Sequence, residues 1–506
     1  MLAMGGDFHY NSAMFEWRFR ITPGIIPQPF LETAYFAGWG RIPRFTHTTV
    51  NGSDLLVCAD SVGSGTVHVP MIHAPLGVVM ESTESLQSRS KPYLLTRELA
   101  RGSLGRFYRR LFDWQMLGFL QPEELNERLK RLAKRFANLI VENSVAVEAE
   151  QEFVSLLDEL ALLVLDENKE FAEQSLTWRM LNNTRVPTIL GIGMNARRFD
   201  SLYELSTFAT LLQDSFHVVL PMPSWRALEP NPDKFDWAQL EKAVVDPLRF
   251  GFQIVMGPLI SFSPDTLPEW LLPRLSEEGY LESRATRFMN AITERYGYLA
   301  HNWILANRFV NQSLPEMPPE RSLVMIRMLA GQMRSRGIET PIIVGIDQPW
   351  GEYALQQAPE WEQVQFAEAL MGCQEIDTFL LEMNFGRGDR LTLPRDPMTI
   401  GNMIDQWSFL GKKVYVSFSV PSAGHPLGIT LENTPQWSEE LQRIWTETIL
   451  LTLLGKRAVR GIFWSCLQDP VSTALAECHY GLLNAQQMSK SACKHFSSAR
   501  KNLLRQ

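Results

Sequence analysis

The sequence predicts an α/β protein in which a carboxy-terminal TIM (β/α)8 barrel follows a small β domain and a helical connector. Two observations predict the barrel. Across residues 186 to about 498, short apolar runs rich in β-branched residues alternate with longer amphipathic segments. These runs recur at intervals of roughly 40 residues, enough for a strand, a loop, a helix and a return. A third observation disfavours a doubly wound sheet, because no glycine-rich phosphate loop follows the first run.

The composition restricts the class of protein. The chain has 506 residues, of which 45% are hydrophobic and 21% charged, and its net charge is −8. These values are typical of a soluble globular protein with two or three domains, and they argue against nucleic-acid partners, which favour a basic excess. Residues 1–15 lack the segments of a signal peptide, and no apolar run approaches the ~18 residues of a membrane span. We therefore expect a cytoplasmic protein without membrane contact, whose oligomeric state stays open.

The cysteines indicate neither a disulfide framework nor a metal site. They are odd in number and far apart, with no C-x-x-C pair and no histidine cluster at ligand spacing. We expect no metal and no cofactor. The cysteines are Cys58, Cys373, Cys466, Cys478 and Cys493.

Residues 1–90 are predicted to form the small β domain. Short apolar runs, such as residues 33–38 and 54–60, are broken by Gly, Pro and Asn, a pattern typical of short strands. Two interpretations of this domain stay open, a carbohydrate-binding-like module and a lid on the barrel.

Residues 91–180 are predicted to form the helical connector, because the apolar period changes from strand to helix. Pro122-Glu123-Glu124 supplies a helix start. One apolar face of the following segment carries Leu125, Leu129, Leu132, Phe136 and Leu139, and a further helix carries Leu156, Leu157, Leu160, Leu163 and Val164.

Residues 181–506 are predicted to form the barrel. Its eight strands are predicted at residues 188–193, 217–221, 253–257, 302–307, 341–346, 378–383, 413–418 and 461–465. In this fold the active site lies at the carboxyl ends of the strands. Tryptophans, carboxylates and amides follow several runs there, and such groups line sugar-binding clefts. The predicted substrate-binding residues are Trp225, Glu229, Asn307, Arg308, Trp350, Asn384, Trp464 and Asp469.

Several segments resemble glycoside hydrolase family 10, the endo-xylanase group of the retaining-glycosidase clan. Trp225-x-x-Leu-Glu-Pro followed by Phe235-Asp-Trp resembles that family's second βα unit, and Leu267-Pro-Glu-Trp-Leu resembles its strand-three segment. Gly461-Ile-Phe-Trp-Ser resembles the eighth strand, and Gly481-Leu-Leu-Asn ahead of Lys490-Ser-Ala resembles the closing segment. The resemblance covers roughly residues 186 to 496. It implies hydrolysis of O-glycosidic bonds in β-linked poly- or oligosaccharides, and hence polysaccharide degradation.

Two departures affect the catalytic positions of that family. Retaining glycosidases use two carboxylates about 5 to 5.5 Å apart. Where the resembled family ends strand four in Asn-Glu, this chain has Asn307-Arg308, and a guanidinium that stays charged cannot donate a proton at neutral pH. Where the family has its strand-seven nucleophile, this chain has Phe418. Both standard catalytic glutamates are therefore missing in this alignment.

Two interpretations of the acidic residues stay open. In the first, catalysis has moved to Glu382 at the end of strand six and Glu352 after strand five, assisted by Glu229 or Asp469. In the second, these acids are structural partners of Arg308, and a catalytically inactive barrel binds glycan or serves as an interaction protein.

Overall fold

The computed structural model describes residues 14–38, 42–60, 63–142, 147–182, 186–195, 205–309, 314, 317–355, 361–386, 392–428, 434–469 and 479–504. Cys478, one of the cysteines considered above, lies outside these residues. None of the described helices is both long and apolar enough to cross a membrane. The described residues also contain no group of three or more His, Cys, Asp or Glu side chains arranged to hold a metal ion.

Two small sheets form before residue 95. One has the strand order β3-β4-β1-β8 and the other β2-β5-β6, with β7 paired to β5. The alternation of apolar and polar residues explains the burial pattern of β1, where Trp17 and Phe19 are buried while Arg18 and Arg20 face outward. The elements are β1 Met14–Arg20, α1 Gln28–Glu32, β2 Tyr35–Ala37, β3 Thr46–Asn51, β4 Asp54–Asp60, β5 Ser64–His73, β6 Gly77–Ser82, β7 Leu86–Gln87 and β8 Tyr93–Leu94.

Three long helices follow: α2 Leu95–Met116, α3 Glu123–Glu142 and α4 Val147–Leu181. Helix α4 lies against a later helix of the barrel, α12 (Glu439–Gly455). Asn168 donates to the Thr452 hydroxyl, and Arg179 donates to the Leu454 carbonyl. These polar contacts attach the helices to the outer wall of the barrel.

The predicted eight-stranded parallel barrel is confirmed. Its strands are β9 Ile189–Asn195, β10 Val218–Met222, β11 Gln253–Met256 with its short continuation β12 Ile260–Ser261, β13 Ala300–Asn307, β14 Ile342–Asp347, β15 Thr378–Asn384, β16 Lys413–Ser419 and β17 Val459–Trp464. Each pairs in parallel with the next, β11 and β12 both pair with β13, and β17 pairs with β9 to close the barrel.

Helices surround the strands, as the alternating sequence pattern requires. They are α5 Leu205–Ser215, α6 Trp225–Leu228, α7 Ala238–Arg249, α8 Tyr280–Tyr296, α9 Pro319–Ser335, α10 Gln363–Leu370, α11 Pro397–Ser408, α12 and α13 Cys493–Ala499. Shorter turns lie at Leu272–Arg274, Glu352–Leu355 and Arg500–Leu504.

The lower half of the barrel interior is apolar and filled. One cluster contains Val218, Leu220, Val255, Ile304, Ile343, Leu380, Tyr415 and Phe463. Glycine is required at Gly191, because a Cβ there would lie 2.6 Å from ring atoms of Phe463 and from Val218. Any site must therefore lie above this layer, at the carboxyl ends of the strands.

The amino-terminal sheets contact the carboxyl-end loops of β14 and β15. The Met80 N–H donates to the Pro394 carbonyl at 2.8 Å, and Arg395 donates to the Tyr35 hydroxyl at 2.8 Å. The Trp445 indole, near the start of α12, donates to the Leu76 carbonyl. This part of the chain therefore borders one side of the barrel mouth.

Candidate functional site at the barrel mouth

A polar layer lies above the apolar interior. Ile343, Leu380 and Tyr415, on three neighbouring strands, face the barrel interior and belong to the filled layer. Every second residue after them on each strand faces the interior as well. Two to four residues further along, the register places Asp347 beside Glu382, and Glu382 beside Ser417. One step higher, the Ser419 hydroxyl donates to Asn384 Oδ1 at 2.8 Å. The mouth therefore carries carboxylates, amides and hydroxyls at two successive levels.

Glu382 is held by an amide from the strand two positions away. Asn307 Nδ2 donates to Glu382 Oε1 at 2.8 Å. Asn307 is buried, whereas Glu382 stays half-buried. Gly345, on the strand between them, makes this contact possible. A Cβ there would lie 2.8 Å from the Asn307 Cβ and 2.9 Å from the same carboxylate oxygen.

Asp347 adds a second carboxylate next to Glu382. The two residues are register partners on adjacent parallel strands, which lie about 4.8 Å apart, and their side chains share a face. Asp347 is also half-buried. Glu352, and not Asp347, was expected from the sequence as the second acid, although the two-residue period through Ile343, Gly345 and Asp347 indicates an inward position for Asp347.

Arg308 follows Asn307 at the mouth and has an unusual backbone. Its φ is 56°, in the left-handed region that residues other than glycine rarely adopt. The side chain is half-buried. Among the residues that the structure describes, no carboxylate lies within 4.0 Å of its guanidinium. The ion pair that the sequence predicts between Arg308 and Glu382 or Glu229 is therefore absent from the described residues.

Phe418 faces the helices and not the mouth. It is fully buried, and its ring contacts Trp464 at 5.2 Å and Phe496 of α13 at 6.2 Å between centroids. The inward positions on this strand are Ser417 and Ser419. Trp464 also faces outward, is fully buried, and donates its indole N–H to the Tyr480 carbonyl.

Trp225 and Glu229 belong to a structural cluster in which the indole N–H and the carboxylate both have partners. The Trp225 indole donates to Glu229 Oε2 at 2.7 Å and stacks on Phe288 of α8 at 4.9 Å. Glu229 is 0% exposed, accepts from the Asp233 N–H, and forms an ion pair with Arg284. This packing leaves no face of the Trp225 ring free for a sugar.

Glu352 is engaged at the border with the amino-terminal sheets. Its side chain is buried and lies 2.9 Å from the Arg395 guanidinium, which also contacts the Tyr35 hydroxyl. Burial raises the pKa of Tyr35 to about 12, so this hydroxyl stays protonated. Arg395 lies 4.2 Å from the ring of Trp350, which is half-buried at the rim. The structure therefore gives Glu352 a cationic partner of its own.

Asp469 is likewise neutralised by a buried cation. Its Oδ2 lies 2.6 Å from Lys490 Nζ, and both side chains are 2% exposed. Asp469 also accepts from the Gly481 N–H at 2.7 Å. Of the predicted site residues, the mouth thus brings together Glu382, Asn307, Asn384 and Arg308, with Trp350 at its rim.

The sequence matches no family model and no curated protein. Several solved structures do resemble the chain. Xylanase 10B from Thermotoga petrophila RKU-1, solved with xylobiose, is 14% identical with a TM-score of 0.49, and the match covers 66% of this chain and 97% of that one. A glycoside hydrolase family 10 endo-β-1,4-xylanase from Gloeophyllum trabeum is 14% identical over 63% and 96%, with a TM-score of 0.48. The exo-β-1,4-mannosidase Op5Man5 from Opitutaceae bacterium strain TAV5 is 15% identical over 63% and 60%, with a TM-score of 0.46.

Proposed function

We propose that the protein hydrolyses O-glycosidic bonds of β-linked poly- or oligosaccharides at the barrel mouth. One observation carries the proposal: Asp347 and Glu382 are register partners whose side chains share a half-buried polar layer, and Glu382 is oriented by Asn307. The sequence resemblance to family 10 supplies the substrate class.

The strand register of the two carboxylates favours a retaining mechanism. Retaining enzymes hold their carboxyl groups about 5 to 5.5 Å apart, whereas inverting enzymes need about 6.5 to 9.5 Å to admit a water molecule. Side chains that leave adjacent strands about 4.8 Å apart on one face fit the shorter separation. We assign Glu382 as the nucleophile because Asn307 fixes its orientation, and Asp347 as the acid/base.

The reaction then has two steps. The Glu382 carboxylate attacks the anomeric carbon while Asp347 gives its proton to the departing glycosidic oxygen, which leaves a glycosyl ester on Glu382. Asp347 next removes a proton from water, the resulting oxygen attacks the anomeric carbon, and the Glu382 carboxylate is released. Asn307 is a positioning residue in this scheme. Glu352 is not assigned a role, because it is 4% exposed and paired with Arg395.

Release of reducing ends from xylan, glucan and mannan tests the proposal, with E382Q and D347N beside the wild type. We expect D347N to lower kcat about 10²- to 10⁴-fold, the range for a lost general acid or base, and E382Q to lower it at least as much because the glycosyl ester cannot form, both without lowering the melting temperature. Proton NMR of the first product should show the β anomer, as retention requires.

E294Q is the matched control, since Glu294 lies near the end of α8 at the opposite end of the barrel with its side chain 79% exposed. It should keep activity within twofold. Full activity in E382Q would contradict the assignment.

A second candidate function is glycan binding without cleavage. It is favoured by one observation, the guanidinium of Arg308 at the position where the resembled family has its proton donor. Calorimetric binding of oligosaccharides by a wild-type protein that releases no reducing ends would establish it in place of hydrolysis.

A further inference from the structure

The backbone of Arg308 is held in a strained conformation between two anchored neighbours. Asn307 is fixed from below by its hydrogen bond to Glu382, and Phe309 stacks on Phe366 of α10 at 4.5 Å. Gln348, which follows the next strand at the same level, also has a positive φ of 44°. Strained residues of this kind persist where the surrounding structure determines them, and they concentrate at functional sites.

The charge of Arg308 is treated differently from that of three other arginines of the barrel. Arg284 is paired with Glu229, Arg321 with Glu282, and Arg395 with Glu352. Arg308 has no carboxylate within 4.0 Å among the described residues, and its guanidinium makes no hydrogen bond with them. A half-buried guanidinium stays charged, and the fork of its N–H groups matches a planar oxyanion.

We infer that Arg308 binds the carboxylate of a uronic acid residue, so that the substrate of the site is an acidic glycan. This inference rests on the proposed function, because it names the substrate class of the same mouth. One uronate contributes one negative charge. Among the described residues of this rim, the Arg308 guanidinium has no carboxylate within 4.0 Å, whereas Arg395 is paired with Glu352.

The two carboxylates of the mouth give a further reason to assign Arg308 to an acidic sugar. Asp347 and Glu382 would repel an acidic sugar, and a cation beside them offsets that repulsion. A neutral sugar needs no such partner. A site that presents an unpaired charged donor therefore discriminates against the neutral analogue, because binding that analogue leaves the donor unsatisfied.

The test measures binding without turnover. E382Q protein is titrated by calorimetry with cello-oligosaccharides, with their C6-oxidised glucuronate counterparts, and with C6-sulfated counterparts. We expect the glucuronate series to bind roughly 10- to 100-fold more tightly than the neutral series, the range for a charge-assisted hydrogen bond. In the E382Q/R308Q double variant the preference should fall to about onefold, through weaker binding of the glucuronate series, while the affinity for the neutral series stays the same or rises.

Two further variants make the result specific. E382Q/R308K keeps the charge but loses the planar fork, so an intermediate preference is expected. E382Q/R249Q removes the same charge at the opposite end of the barrel, where the Arg249 side chain is 74% exposed, and should keep the full preference. Thermal melting shows that each variant is folded.

The outcomes separate this inference from the proposed function. Equal binding of neutral and glucuronate series, an equal loss of both in R308Q, or no binding of either overturns the inference. Tighter binding of the sulfated series overturns the uronate class. Hydrolysis of neutral glycans by the wild type with no acidic preference leaves the proposed function intact and overturns only the role of Arg308. An acidic preference without hydrolysis supports Arg308 and contradicts the assignment of Glu382 and Asp347.

Discussion

Glu229 and Glu382 both lie near the carboxyl ends of barrel strands, yet the structure gives them opposite surroundings. Glu229 is fully buried, accepts from the Trp225 indole and the Asp233 N–H, and is neutralised by Arg284. Glu382 is half-buried and is oriented by the neutral amide of Asn307 beside a second carboxylate, Asp347. The first arrangement, a fully buried acid paired with a cation, is structural, whereas the second leaves the acid partly exposed at the barrel mouth.

The same distinction holds for the other acids of the barrel. Glu352 and Asp469 are each paired with a buried cation, Arg395 and Lys490. Burial alone therefore does not identify a candidate catalytic acid, since Glu229, Glu352 and Asp469 are all buried and paired with cations. The nature of the partner is the better criterion.

The largest expected effect separates Glu229 from Glu382 by stability. E229A should lower the free energy of unfolding by about 2 to 5 kcal/mol, because the Trp225 indole and the Asp233 N–H lose their buried acceptor and Arg284 keeps the more exposed Asp233 as its carboxylate. E382A should change it by less than about 1 kcal/mol, because Glu382 is only half-buried. Urea unfolding of both variants measures the difference. Equal losses would remove the distinction drawn between the two glutamates.

The barrel could be predicted from the sequence, whereas the pairing of its acids could not. Short apolar runs rich in β-branched residues, set between amphipathic segments, are local patterns along the chain, so the strands were predictable. The partner of Glu229 lies on α8, 55 residues away, and that of Glu352 lies on the loop after the next strand. Such contacts are set by tertiary packing and leave no local pattern. Trp225 shows the same limit, because its burial depends on Phe288 of α8.

A second prediction concerns a buried ion cluster far from the mouth. His73 of β5 lies 2.7 Å from Asp158 of α4 and 3.5 Å from Glu81, which also pairs with Arg106. Burial lowers the pKa of His73, but its hydrogen bonds to Asp158 and Glu81 outweigh burial and raise the pKa to about 9. The imidazolium thus stabilises the contact between the amino-terminal sheet and α4.

Because the folded pKa of His73 is raised, its stabilisation is complete below about pH 6.5 and is lost as the pH rises through 9. The loss should be at most about 3 kcal/mol, and H73Q should lack it. Lys456, whose pKa burial lowers to about 8, changes stability in the opposite direction in an overlapping range. The wild-type minus H73Q difference in unfolding free energy between pH 6 and 10 therefore isolates His73. A difference that does not vary with pH would contradict the assignment.

The smallest expected effect is at Arg308, where the comparison with Arg284 is sharpest. A non-glycine residue in the left-handed region costs about 1 to 2 kcal/mol, and the flexibility of glycine in the unfolded chain offsets about 0.5 to 1 kcal/mol of the relief. R308G should therefore unfold at the same denaturant concentration as the wild type or slightly higher. R284G should be destabilised by several kcal/mol, because it leaves buried Glu229 without its cation. If R308G were destabilised as strongly as R284G, Arg308 would be a structural residue with a partner in the fold, and its charge would not be available to a ligand.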